Sequence, residues 1–134
     1  MNIGFLIAGI LCVIGVFAHG IGGEYTLQRV PTSAFPQIPN GGSNIAKQEV
    51  RMTWHAVTVV FLLSAVVLLL MTFTDIITDQ VTIAHTISIV FVFFALDIMV
   101  VPLIATRQWN TLVRIPQWIL CLAIAGAVLA GLGV

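Results

Sequence analysis

Long apolar runs separated by more polar segments set the plan of this chain. The runs cover approximately residues 3–17, 56–73, 81–104 and 115–134. Each is about the twenty residues, or slightly fewer, that a helix rising 1.5 Å per residue needs to cross a ~30 Å hydrocarbon core. The pattern predicts an all-α membrane protein: four transmembrane helices at about residues 3–20, 52–74, 81–104 and 115–133, in an antiparallel bundle that forms a single domain over residues 1–134. Between the second and third runs only residues 74–80 are polar, which requires those helices to be antiparallel neighbours.

Charge orients the bundle. All five Lys and Arg residues fall in two polar segments: Arg29, Lys47 and Arg51 within residues 18–51, Arg107 and Arg114 within residues 106–114. Cationic loops are retained on the cytoplasmic side. Both segments are therefore expected in the cytoplasm, with the N and C termini and the 74–80 turn outside, as in a multi-pass protein of a bacterial-type inner membrane.

Composition narrows the class. The 134 residues are 60% hydrophobic and 7% charged, with zero net charge and a mean hydropathy of +1.13, so the lipid bilayer is the first partner and there is no room for a second domain. Zero net charge removes the electrostatic case for nucleic acid, and no glycine-rich phosphate loop occurs. Val16-Phe17-Ala18 resembles a signal cleavage site, but Met1-Asn2 supplies no basic n-region, so the first helix is expected to be retained. Cys12 and Cys121 lie inside the first and fourth runs without CxxC spacing, and are expected as small apolar packing residues.

The first loop holds the most complex content. Gly20-Ile21-Gly22-Gly23 is expected to end the first helix, and Pro31, Pro36, Pro39 and Asn40-Gly41-Gly42-Ser43 interrupt any helix before Ser43. That leaves a cytoplasmic loop over residues 21–50, long enough to act as a cap, a lid or a partner surface. A helix restarts at Ser43-Asn44 with Ser43 as its N-cap and runs into the second span without a breaker.

Small residues mark close packing. Gly4, Ala8, Cys12 and Gly15 recur at three- and four-residue steps on the first helix, and His19 continues the stripe. The fourth helix offers Ala123, Ala125, Gly126, Ala127, Ala130, Gly131 and Gly133 on more than one face. The Gly/Ala faces of helices one and four thus suit packing within the bundle, association with other membrane subunits, or self-association.

Few residues can carry chemistry. His19 ends the first span and His55 opens the second, at similar depth on antiparallel helices, so the two imidazoles can meet as a bundle metal or cofactor site requires. Glu24 supplies a carboxylate five residues after His19. Asp97 lies within the third span, where an ionisable group is a functional-site candidate by default; the alternative is a structural pair with Arg107. His85, with Thr82 and Ser88 around it, lies at the outer end and is expected to be structural or a separate site. Trp54, Trp109 and Trp118 bracket the cytoplasmic boundary as an aromatic belt.

The elements His19-Gly20-Ile21-Gly22-Gly23-Glu24, Arg51-Met52-Thr53-Trp54-His55 and Pro116-Gln117-Trp118 resemble an uncharacterised family of small bacterial four-helix integral membrane proteins, with a His-x-x-x-Gly-Glu element after helix one, a Trp-His pair at helix two and a tryptophan-led last helix. The resemblance implies the four-helix fold and highlights His19, Gly23, Glu24, Trp54 and His55 without implying a reaction. The longer, proline-rich first loop and Asp97 depart from that pattern.

Two functions from different classes fit these residues. The first is a small non-catalytic subunit that packs into a larger membrane complex and docks through its first loop. The second is a binding or redox protein in which His19, His55 and Trp54 hold a haem or a quinone head group, or His19, His55, Glu24 and Asp97 hold a metal ion. No residue set specifies a catalytic mechanism, and a single intramembrane carboxylate without paired broken helices is little basis for transport.

Overall fold

A computed structural model describes residues 1–37, 39 and 42–133. Its elements are α1 (Ile3–Arg29), a 3-10 turn (Thr32–Ala34), α2 (Gly42–Phe73), α3 (Gln80–Thr106), α4 (Asn110–Arg114) and α5 (Gln117–Leu132), with no strand among the described residues. Three of the helices, α1, α2 and α3, are long and apolar enough to cross a membrane. Asn40 and Gly41 of the expected turn, and Val134 at the end of the fourth apolar run, lie outside the described residues.

The first helix does not stop at its glycines. α1 continues through Gly20, Gly22 and Gly23 to Arg29. Glycine inside a helix costs about 1 kcal/mol relative to alanine, which weakens a helix but does not terminate it. The expected loop over residues 21–50 therefore shrinks to the stretch between Arg29 and Gly42. α2 then runs unbroken for 32 residues into the second apolar stretch, as its lack of breakers implied. Gly42 opens it at φ +58°, a left-handed conformation that favours glycine.

The fourth span is also revised. Pro116, which lacks an N–H and disfavours helical geometry at Ile115, separates the five-residue α4 from α5. Gly133, at φ 79°, closes α5 after 16 residues, which makes it shorter than the other three apolar helices.

The chain divides into two compact units. In the unit of Met1–Cys12 and Ser64–Val134, α3 packs on α5. Ala84, Ile87, Ser88, Phe91 and Ala95 of α3 are buried, as are Cys121, Ile124, Ala125 and Val128 of α5. Ser88 Oγ donates to the Ala125 carbonyl at 3.3 Å. Asp79 caps α3 by accepting from the Thr82 N–H at 3.1 Å. Both cysteines are free and buried.

Helix close approach follows the small residues. Ala8 and Cys12 are fully buried, and a Cβ at Gly4 would collide with the Gly131 backbone. Asn2 adds a bond from its Nδ2 to the Gly131 carbonyl at 2.7 Å and accepts from the Phe5 N–H at 3.2 Å. These small faces of α1 and α5 are used within the unit, whereas Ala123, Gly126 and Ala130 remain exposed. In hydrocarbon, where burial of apolar area does not drive helices together, such contact between backbones is the main source of cohesion.

The two kinds of glycine should respond oppositely to alanine. Gly4→Ala forces the Gly131 backbone away and is expected to lower the melting temperature in detergent by the equivalent of ~1–3 kcal/mol. Gly126→Ala, with open space around it, should be neutral or slightly stabilising. Equal melting temperatures for the two variants would refute the close contact.

Candidate functional site

The second unit, Val13–Leu63, contains most of the polar residues singled out in the sequence. Trp54 of α2 is set against Gly23 of α1 so closely that a methyl group there would overlap the indole. With no side chain at Gly23, the His19 carbonyl one turn earlier is accessible, and Trp54 Nε1 donates to it at 2.7 Å. The same indole stacks on the His19 ring, centroids 4.7 Å apart and planes 23° from parallel. Trp54 is thus a helix-to-helix clamp, a more specific role than a place in an interfacial belt. Trp109, by contrast, is exposed, and Trp118 donates to the Leu112 carbonyl at 3.1 Å.

Thr58, one turn after Trp54, completes the seat of His19. Its Oγ1 donates to the Trp54 carbonyl at 3.3 Å and lies 3.1 Å from His19 Nδ1. Hydroxyl and ring nitrogen share one hydrogen bond, whose direction follows the imidazole tautomer. Phe61 approaches the other part of the imidazole at a centroid distance of 6.1 Å.

Glu24 forms a second cluster. Its two oxygens take a fork from Arg51, Nε to Oε2 and Nη2 to Oε1, each at 3.1 Å. Gln28 Nε2 donates to Oε1 at 3.1 Å, and His55 Nε2 lies 3.5 Å from Oε2. Glu24 lies on the polar extension of α1 beyond its apolar run. There the Gln28 amide, and then the Arg51 guanidinium, hold its carboxyl below the ordinary value against a smaller opposing effect of desolvation.

The expected convergence of His19, His55, Glu24 and Asp97 on one metal is not the arrangement found. The two imidazoles have different partners, His19 on Thr58 and Trp54, His55 on Glu24. No group of three or more His, Cys, Asp or Glu side chains suited to a metal occurs among the described residues. Asp97 belongs to the other unit and is exposed, with no hydrogen bond or ion pair among the described residues. Arg107, expected as its partner, caps α3 in a left-handed conformation at φ 55° and is itself exposed. Ten residues of helix separate the two by roughly 15 Å along the axis, which is too far for a pair. His85 Nδ1 meets the Val81 carbonyl at 2.9 Å, an intrahelical contact.

Sequence reasoning missed the cavity beside the clamp. It is open to one side and offers about 420 Å³, with Trp54, Phe35, Val50 and Val57 among its apolar lining residues and His19, Glu49 and Thr53 as its polar ones. The connection between α1 and α2 is drawn in to form one wall, as Lys47 Nζ donates to the Val30 carbonyl at 2.7 Å and Gln37 Nε2 to Ser43 Oγ at 2.7 Å. Ser43, expected as an N-cap, is the buried acceptor of that second bond. The described residues of the connection thus lie against the start of α2, at positions where the sequence suggested a cap, a lid or a partner surface.

Comparison with known proteins gives no match to a family model, a curated protein or a solved structure. Function is therefore argued from the residues.

Two outcomes test this geometry. Gly23→Ala should displace Trp54, lowering the melting temperature in detergent by the equivalent of ~1–3 kcal/mol and shifting the tryptophan emission, whereas Gly22→Ala, which meets open space, should do neither. For Glu24, a carboxyl value depressed on folding means that its contribution is present above the ordinary range and lost as pH falls. The advantage of the native protein over Glu24→Gln in thermal melts should accordingly be present at pH 7 and shrink below about pH 4.3; a difference that grows on acidification would contradict the pairing.

Proposed function

We propose that this chain is a small non-catalytic integral membrane subunit, held in a larger membrane complex by the outer face of α3. The observation that carries the proposal is Asp97. Its neighbours along the helix surface, Phe93, Val100 and Val101, are exposed apolar residues, so the carboxyl lies in the middle of an outward apolar face. The helix midpoint is about four residues away, roughly 6 Å along the axis, which places Asp97 inside the hydrocarbon region. A charge left unpaired at that depth costs about 2.5–3.5 kcal/mol even on the lenient insertion scale.

Pro102 adds a second need on the same helix. It provides no N–H for the Ile98 carbonyl, the group one turn earlier that an ordinary residue would satisfy. Carboxyl and carbonyl are both acceptors. They call for a transmembrane segment that brings a lysine, arginine or hydrogen-bond donor to α3. A symmetric pair of identical chains meeting at this face would bring two Asp97 carboxyls together, so a different polypeptide is the better partner. The exposed small residues Ala123, Gly126 and Ala130 of α5 offer a further contact surface.

In this reading the bundle has four spans. α5 serves as the short fourth one, and the loops carrying Arg29, Lys47, Arg51, Arg107 and Arg114 lie in the cytoplasm, as the distribution of cations supports. The alternative, a haem, metal or quinone held by His19 and His55, is less well supported because both rings are already engaged with different protein groups.

Purification from native membranes in mild detergent tests the proposal. The native chain should elute in a complex larger than the monomer together with another membrane protein. Asp97→Lys should release that partner while leaving the melting temperature of the isolated chain unchanged. A native chain that elutes alone, an Asp97→Lys chain that keeps its partner, or a preparation with stoichiometric metal or a haem absorption band would overturn the reading.

A further inference from the structure

The cavity beside Trp54 has a one-sided hydrogen-bonding character. Thr53 Oγ1 donates its proton to the Glu49 carbonyl at 3.0 Å, which leaves only acceptor capacity. Trp54 spends its indole N–H on the His19 carbonyl. His19 engages Thr58 through Nδ1, and its Nε2 makes no hydrogen bond among the described residues. The Glu49 carboxylate is exposed and unpaired among the described residues. The Phe35 N–H is bonded to the Thr32 carbonyl, and Pro36 has none to give. Glu49 and Thr53 therefore present acceptors to the cavity, the first of them a carboxylate.

From this lining we infer that the cavity is a binding site for an organic ammonium: a protonated amine on an aromatic or branched apolar body. The amine supplies the N–H donors that Glu49 and Thr53 lack, and its charge meets the Glu49 carboxylate. The apolar body fills the space between Val50, Val57, Phe35 and Trp54, whose ring faces also attract a cation. A volume of about 420 Å³ falls in the ~300–1,000 Å³ range of small-molecule sites. A carboxylate in the same place would meet the like charge of Glu49.

The chain itself supplies a precedent for the chemistry. Lys47 holds its ammonium 6.0 Å from the Phe35 centroid, on the Val30 carbonyl. Lys47 does not line the cavity. The inference does not depend on the subunit role, because Asp97 and its face belong to the other unit.

Calorimetric titration of the full chain in detergent with phenylbutylammonium, and in parallel with phenylbutyrate, decides the matter. The ammonium should bind saturably at one site per chain and the carboxylate should not. Glu49→Gln, a change at an exposed position that spares the fold, should weaken the ammonium by about tenfold, the size of one charge-assisted hydrogen bond. Val50→Trp should fill the cavity and abolish binding, while His85→Ala should bind as the native chain does. Absence of saturable ammonium binding, equal binding of phenylbutyrate, or a Glu49→Gln chain with undiminished affinity would each overturn the assignment.

Discussion

The indole of Trp54 resting on the bare backbone at Gly23 is the contact on which the polar half of this molecule depends. It joins α1 to α2 by a 2.7 Å hydrogen bond to a helix carbonyl, and it presents the flat surface on which His19 lies. A carbonyl that already serves its own helix can take a second donor, because the oxygen has two lone pairs. It is within reach only because the residue one turn later has no side chain. Remove that vacancy and the indole, the imidazole and the threonine behind it lose their common geometry together.

Much of the architecture was legible in the sequence, for a definite reason. Apolar runs of membrane length allow few solutions, and the Gly4–Ala8–Cys12 stripe could only be a close-packing face. The role of Gly20 to Gly23 was not legible. Glycine serves equally well to end a helix and to let a partner approach, and the choice is made by Trp54, more than thirty residues away. The pairing of Glu24 with Arg51 is similarly non-local. Nothing in the spacing of Thr58 identified it as the support of His19, although its place one turn after Trp54 was visible.

The direction that Asp97 faces was hidden for another reason. α3 is apolar around its whole circumference, so its periodicity does not say which side is turned outward. Only the packing of Ala84, Ile87, Ser88, Phe91 and Ala95 against α5 fixes the buried side, and the carboxyl then falls on the other. The immediate partners of the histidines were not legible either. Equal depth brought them out as candidates, but depth does not name a ring's hydrogen-bond partner, and Thr58 and Glu24 are those found.

Unequal helix lengths set a mechanical relation between this protein and its bilayer. The 32 residues of α2 extend about 48 Å and the 16 of α5 about 24 Å, against a hydrocarbon thickness of ~30 Å. Were α5 to stand across that core as the fourth span proposed above, lipid beside it would have to thin or crowd its ends with polar head groups, while α2 would project into water or tilt. Membrane thickness would then act on the protein, with a thin bilayer the cheaper host for α5 and neighbouring proteins that also thin the lipid drawn toward it without any specific contact.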